Sequence, residues 1–277
     1  MLIRDRHFDF GSKTYIMGIL NLSLDSFSGD GLGNNIELVI QTAIQMEESG
    51  ADIIDIGAES TRRSNNQVQS VQIDYKEEIN ALVPVIRALT SAISIPLSVD
   101  TYKPLVAQHC LEAGVNVINN IWGTRCDPDM FKLVSSWDVP IIIMHNNYSN
   151  RYHNLISEIY SSLKYSINFA LSCDVNIRNI ILDPGLGFGK IVNQNLDIER
   201  KLDVLKNLGC PLLIGPSRKS HIGIVLGDLP VTQRFEGTAG IVSTSIAQKV
   251  DIVRVHDVKE ISRVCRMVDL LTRNKSK

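Results

Sequence analysis

Polar residues able to bind, ionise or coordinate stand directly behind short apolar runs along this chain. Asn21 follows MGIL, Glu59-Ser60-Thr61-Arg62 follow DIIDIG, and Asp100 ends PLSVD. Asn119 and Asn120 end a fourth run, His145 a fifth and Asp183 a sixth. Ser217-Arg218-Lys219-Ser220 follow a seventh, and Arg254 with His256 close an eighth. Taken singly, each reads equally well as a cap on a loop or helix start. Lys219 alone also reads as a solvated loop lysine, and His256 alone as a satisfied structural histidine. Together they describe one chemically active face. Asp100 and Asp183, two isolated carboxylates on separate runs, suit a ligand with hydrogen-bond donors or developing positive charge. The RVHD segment sets Arg254 and His256 two residues apart, hence on one face of an extended strand.

The runs themselves are TYIMGIL, DIIDIG, PLSVD, VNVIN, PIIIMH, NIILD, PLLIG and DIVRVH, short and β-rich enough for strands buried on both faces. Helical apolar spacing fills the intervals, as over Ile36 to Ser49, Tyr75 to Leu89, Leu155 to Leu171 and Leu196 to Leu208. Regular strand–helix alternation requires parallel strands joined by crossovers. Eight units over this length predict an α/β fold, a single (β/α)8 TIM barrel whose carboxyl-end face carries the site. An open doubly wound sheet is the structural alternative.

The length of 277 residues matches one such barrel, and 44% hydrophobic with 21% charged residues gives a large core beneath a polar surface. No linker or low-complexity tract divides it. One domain is expected over 1–277, with residues 1–12 a short N-terminal extension capping the barrel bottom and 273–277 frayed. A formal net charge of −2 offers no broad attraction for nucleic acid or an anionic membrane, so an anionic ligand must be held by local cations. Five singly scattered cysteines show no metal-ligand spacing and read as reduced thiols. The N-terminal residues lack the apolar run of a signal peptide, and no later stretch has the length of a membrane span, so the expected location is the cytoplasm.

MGILNLSLDSFSGDG, GADIIDIGAESTRRSN, PLSVDTYKP, INNIWG, ILDPGLGFGK, GPSRKS and RVHDVKE, in this order and over nearly the whole chain, resemble dihydropteroate synthase, a pterin-binding TIM-barrel family and sulfonamide target. The resemblance implies an enzyme of folate biosynthesis, a homodimer that condenses 6-hydroxymethyl-7,8-dihydropterin diphosphate with p-aminobenzoate. It implies a pterin pocket of Asp100, Asn119, Asp183, Lys219 and Met144, with Asp183 on the pyrimidine edge and Lys219 on the carbonyl side. Asn21, Thr61, Arg254 and His256 take the diphosphate, with Asn21 also on Mg²⁺, which prefers oxygen ligands and is mostly carried by the substrate. Ser220, Phe188 and Arg62 face p-aminobenzoate, Ser220 at a helix start where free N–H groups favour an anion. Catalysis falls to Asp100, Lys219 and Arg254, through a pterin cation left as diphosphate departs. The glycines of DPGLGFGK read as loop conformation, since the Gly-Lys-Ser/Thr ending of a phosphate-binding loop is lacking.

The chain departs from the family pattern in two loops. Ser23-Leu24 stand for Thr-Pro and Gly29-Asp30 for Asp-Gly in the first; Ala58 stands for glycine and Arg63-Ser64 for Pro-Gly in the second. Asn120 also replaces an aspartate. These changes motivate one rival, a pterin-binding paralogue without turnover. The other, a folate-dependent methyltransferase-like barrel, would not need the anion groups of SRKS and RVHD.

Overall fold

The computed structural model describes residues 1–22, 35–59, 73–125, 127–147 and 151–273. All eight apolar runs form parallel strands: β1 (Tyr15–Asn21), β2 (Ile53–Gly57), β3 (Leu97–Asp100), β4 (Val117–Asn120), β5 (Ile141–Met144), β6 (Ile180–Asp183), β7 (Leu213–Ile214) and β8 (Ile252–Val255). Each of β1 to β5 pairs with its successor, and β8 pairs with both β1 and β7. A parallel bridge between Leu182 and Leu212 joins β6 to the β7 segment and closes the ring. The result is a TIM barrel, as the strand–helix alternation predicts.

Ten helices are described: α1 (Ile36–Glu48), α2 (Tyr75–Ala92), α3 (Pro104–Glu112), α4 (Asp129–Trp137), α5 (Leu155–Ser172), α6 (Val192–Glu199), α7 (Leu202–Lys206), α8 (Ser220–Val225), α9 (Phe235–Ala247) and α10 (Val258–Thr272). Local chemistry sets several starts. Asn35, Asp74 and Asn154 accept from early backbone N–H groups of α1, α2 and α5, and Pro104 opens α3 where its missing N–H costs nothing. The helical spacing over Leu196 to Leu208 does not form one helix. Gln248 accepts from the N–H of Leu202 at 2.8 Å and donates to the carbonyl of Glu199 at 2.7 Å, so the break between α6 and α7 leaves these groups paired.

Two layers fill the barrel. Tyr15, Met17, Ile53, Val117, Ile142, Ile181, Leu213 and Ile252 form a lower cluster, and Ile3 and Phe8 of the N-terminal segment pack against it from below. Side chains alternate along a strand, so the residues two steps on share the inward face one layer higher. Those residues include Asp55, Asn119, Met144, Asp183 and Arg254. An apolar floor thus carries a polar ceiling.

The expected frayed end begins too early. Arg273 is buried and donates to Asp269 Oδ1 at 2.7 Å and to the Gly11 carbonyl at 3.0 Å, tying the end of α10 to the N-terminal segment. Residues 274–277 lie outside the described residues. Among the described residues no helix is long and apolar enough to cross a membrane.

Candidate active site

Asp55, in the middle of β2, organises the upper layer. Its Oδ2 accepts from Asn119 Nδ2 at 2.9 Å and from Arg254 Nε at 2.7 Å, while Arg254 Nη2 stands 3.4 Å from Asp100 Oδ2. Three strands and the far strand β8 are tied together by one carboxylate and one guanidinium. Sequence reasoning missed Asp55 because it sits inside an apolar run rather than behind it. The available signal was its alternation with Ile53, which places it on the inward face.

Asp100 lies opposite Asn119 in the β3–β4 register, and Met144 opposite Asp183 in the β5–β6 register. Burial pushes the Asp100 carboxyl up to about 7; Arg254 pulls against this, whereas the Asp55 charge adds to it. Asp183 is also raised by burial, against the Gly185 N–H that donates to its Oδ1 at 2.7 Å and against the positive charges of Lys219, Lys190 and Arg254. Burial disfavours the Arg254 cation, but Asp55 and Asp100 outweigh it and hold its pKa above the ordinary value. The guanidinium is therefore a fixed positive charge inside a ring of carboxylates.

Phe188, in the loop behind β6, faces Lys219, which follows β7, with Lys219 Nζ 4.4 Å from the ring centroid. Gly185 is required there. Its φ is +71°, and a Cβ would stand 2.1 Å from the His145 carbonyl oxygen. Lys190, a second residue that sequence reasoning passed over, is buried and donates to the carbonyls of Gly185 at 2.8 Å and Phe188 at 2.9 Å. Its ammonium folds the glycine loop around itself. Asn195 of α6 accepts from the Gly187 N–H at 2.7 Å and fixes the other side.

Of the residues expected to take the diphosphate, Asn21 closes β1 beside Gly57 and His256 follows β8. Ser217 Oγ lies 2.8 Å from His256 Nδ1 and accepts from the His256 backbone N–H at 3.1 Å, which orients the ring. Ser220 is the exposed first residue of α8 and Lys219 precedes it as the N-cap. Thr61 and Arg62, and with them the altered positions of both loops except Ala58, lie outside the described residues.

Three strand-end residues turn away from this group. Asn120 donates to the Gly123 carbonyl at 2.8 Å and accepts from Trp122 N–H at 3.0 Å, holding the turn after β4. Arg218 is bound to Asp257 by Nε at 3.1 Å and Nη2 at 2.6 Å. His145 lines a cleft against α5 with Met144, Asn146 and Tyr152, and burial with the nearby Lys190 and Arg125 charges lowers its pKa to about 3.

Two oriented carboxylates, an amide and a permanent cation above an apolar floor suit a flat, donor-rich ring bearing an anionic arm. Comparison with known proteins agrees with this chemistry. Residues 17–256 match the family model described as pterin binding enzyme. A dihydropteroate synthase of Clostridium beijerinckii is 46% identical over 274 residues, covering 99% of this chain and 100% of that protein. The crystal structure of dihydropteroate synthase from Clostridium difficile in the presence of pteroic acid superposes with a TM-score of 0.90 at 44% identity, covering 97% of this chain and 100% of that one. That of Xanthomonas albilineans with 4-aminobenzoic acid gives a TM-score of 0.87 at 31% identity, covering 94% of each chain. The chain therefore belongs to the pterin-binding enzymes and, among them, to the dihydropteroate synthases, transferases of folate biosynthesis.

Proposed function

We propose that the enzyme condenses 6-hydroxymethyl-7,8-dihydropterin diphosphate with p-aminobenzoate, releasing 7,8-dihydropteroate and diphosphate by a dissociative route. The observation that carries this reading is the Asp55–Asn119–Arg254–Asp100 cluster, which sets both signs of charge side by side at the carboxyl ends of the strands. The relatives crystallised in the presence of pteroic acid and with 4-aminobenzoic acid support this reading, since the first molecule carries both the pterin and amine halves of that product and the second its amine half.

In this reading Asp183 accepts from the aminopyrimidine edge, Asn119 and Lys219 take the remaining ring heteroatoms, and Met144 forms an apolar wall. Asp100 acts once the C–O bond to diphosphate lengthens and positive charge grows on the methylene. A carboxylate aimed at that charge lowers the barrier more than it tightens ground-state binding. Arg254, His256, Thr61 and Asn21 receive the departing diphosphate. Ser220, Phe188 and Arg62 hold the amine substrate, whose nitrogen attacks the methylene carbon. No strong base is needed, because the cation is electrophilic enough for a neutral amine, and the protonated secondary amine that forms then gives up its proton to water or to the released diphosphate.

Mg²⁺ fits the residues present: Asn21 offers a single hard amide oxygen at a strand's carboxyl end, which suits an ion completing its shell with phosphate and water. Bound with the diphosphate, the ion would neutralise leaving-group charge. A homodimer is supported by exposed apolar residues on two helices near the carboxyl end, Ile224 and Val225 of α8 and Met267, Leu270 and Leu271 of α10.

Incubation with the pterin diphosphate, Mg²⁺ and p-aminobenzoate tests the reaction: dihydropteroate and diphosphate are expected in equal amounts. Pterin binding without product would overturn the assignment of this reaction.

A further inference from the structure

The cleft between the loop behind β5 and helix α5 encloses about 350 Å³, and of the residues given to substrates above it shares only Met144. Two polar atoms on its strand side, His145 Nδ1 and Asn146 Oδ1, are buried and have no hydrogen-bond partner among the described residues. The two residues are 6% and 8% exposed, so solvent does not make up the loss. Asn146 is also oriented. Its Nδ2 donates to the Ile121 carbonyl at 3.2 Å, and turning the amide over would set oxygen against oxygen. Oδ1 is therefore committed as an acceptor on the cleft. A buried acceptor left in this way forfeits its hydration for nothing unless something donates to it.

Opposite charges stand on the remaining walls. Arg125, exposed in the turn after β4, brings a guanidinium. Glu158 in the first turn of α5 brings a carboxylate, pinned because its Oε1 accepts from the N–H groups of His153 at 2.7 Å and Asn154 at 2.8 Å. Both charges act on Tyr152 between them. Burial is the main cause that pushes its hydroxyl up to about 12, Asn147 opposes this by a hydrogen bond, Glu158 adds to it and Arg125 opposes it. Ser157, Ser161 and Ser162 face the cleft from α5, their short side chains leaving it open and lining it with hydroxyls.

The cleft thus asks for two things at once. Asn146 Oδ1 and the Glu158 carboxylate call for a donor cation, whereas Arg125 and the serines call for an anion. The His145 imidazole, with its pKa lowered to about 3, is uncharged at neutral pH and accepts at Nδ1 without repelling a cation. Ordered water satisfies the two buried atoms but makes no use of the opposed charges.

We propose that this cleft binds a small amine carboxylate, its ammonium on Asn146 Oδ1, His145 Nδ1 and Glu158 and its carboxylate on Arg125 and the α5 serines. The carbon body of the ligand lies against Met144 and the Tyr152 ring.

Glycine, 4-aminobutyrate and 6-aminohexanoate set the two charges at increasing separation, while acetate and butylammonium carry one charge each. Each is titrated into the whole chain and followed by ligand-observed NMR. At least one of the three amine carboxylates is expected to bind with a dissociation constant of about 1 mM or tighter, and both single-charge probes at least about tenfold more weakly. Ser161→Trp fills the cleft from an exposed helix position, and Arg125→Gln removes the exposed cation. Neither substitution strands a buried partner, so both variants are expected to melt close to the parent, and each to weaken binding about tenfold or more. No binding by any of the three would mean a cleft filled by water alone and would overturn the site. Parental affinity in either folded variant would place the ligand elsewhere, and equal affinity for acetate or butylammonium would remove the two-charge ligand; either result overturns the proposal.

Discussion

Arg254 donates through Nε to the buried Oδ2 of Asp55 at 2.7 Å, closer than its Nη2 approaches Asp100. The shorter contact is with a carboxylate that is wholly buried and also receives Asn119. Asp55 therefore fixes the guanidinium, and Asp100 is left with the weaker hold and the freer carboxylate.

Asp55→Ala removes the anchor of both Arg254 and Asn119. Loss of one partner of a buried ion pair costs about 3–5 kcal/mol, and solvent access at the Arg254 side chain places the expected loss near the lower end. Urea unfolding of the variant measures it. A loss under about 1 kcal/mol would show that Arg254 finds equivalent partners without Asp55.

Asp100 must be ionised to stabilise a cation, and its carboxyl is raised to about 7. Turnover is expected to rise with pH through that region. Stability runs the other way. With the folded pKa above the unfolded one, the folded state holds the extra proton, so this contribution is full below the unfolded value and disappears as pH rises through about 7. Asp100→Asn should abolish the acid limb of the rate profile, lower turnover more than pterin affinity, and remove its part of the stability slope, leaving same-direction contributions from Asp183 and Glu59 and an opposite one from His145, whose lowered pKa makes stability rise with pH. Equal losses of turnover and affinity would sink the cation-stabilising role.

Asp183→Asn should weaken pterin binding by about 2–5 kcal/mol. The Gly185 N–H at 2.7 Å from Oδ1 holds the variant's amide oxygen on its own side and turns the NH₂ toward the pyrimidine donors. Calorimetry decides; affinity within a few-fold of the parent would remove Asp183 as the pyrimidine anchor.

Most of this architecture is legible in the residues because strand identity and inward face are both written in short-range pattern. Period-two alternation from Ile181 gives Asp183, and from Ile252 gives Arg254. The same alternation would have given Asp55 from Ile53, had mid-strand charges been weighed like terminal ones. Partner choice is different. Nothing local tells that Arg218 turns to Asp257, that Asn120 folds its own turn, or that Lys190 closes the glycine loop through carbonyls. The Arg218–Asp257 pair depends on distances between segments far apart in the chain, as does the Gln248 side chain that permits the break after Glu199, whereas Asn120 and Lys190 reach acceptors within five residues and are set by how their own loops turn.

The final prediction concerns Arg254 as the receiver of diphosphate. Its Nε is committed to Asp55 and its Nη2 lies loosely beside Asp100, so the cation is preorganised by carboxylates while its charge stays in the upper layer. Arg254→Ala should weaken binding of the pterin diphosphate by about 2–4 kcal/mol, the scale of a lost charged partner in a partly closed site. The phosphate-free pterin should lose much less, since it forfeits only contact with the guanidinium. Removal also takes away the principal charge that opposes the raised Asp100 pKa, so the acid limb of any residual activity should move to higher pH. Dissociation constants for the two ligands, with and without Mg²⁺, test the first part, and the residual pH profile tests the second. Equal weakening of both ligands would mean that Arg254 serves the ring or the fold and that the diphosphate is held elsewhere.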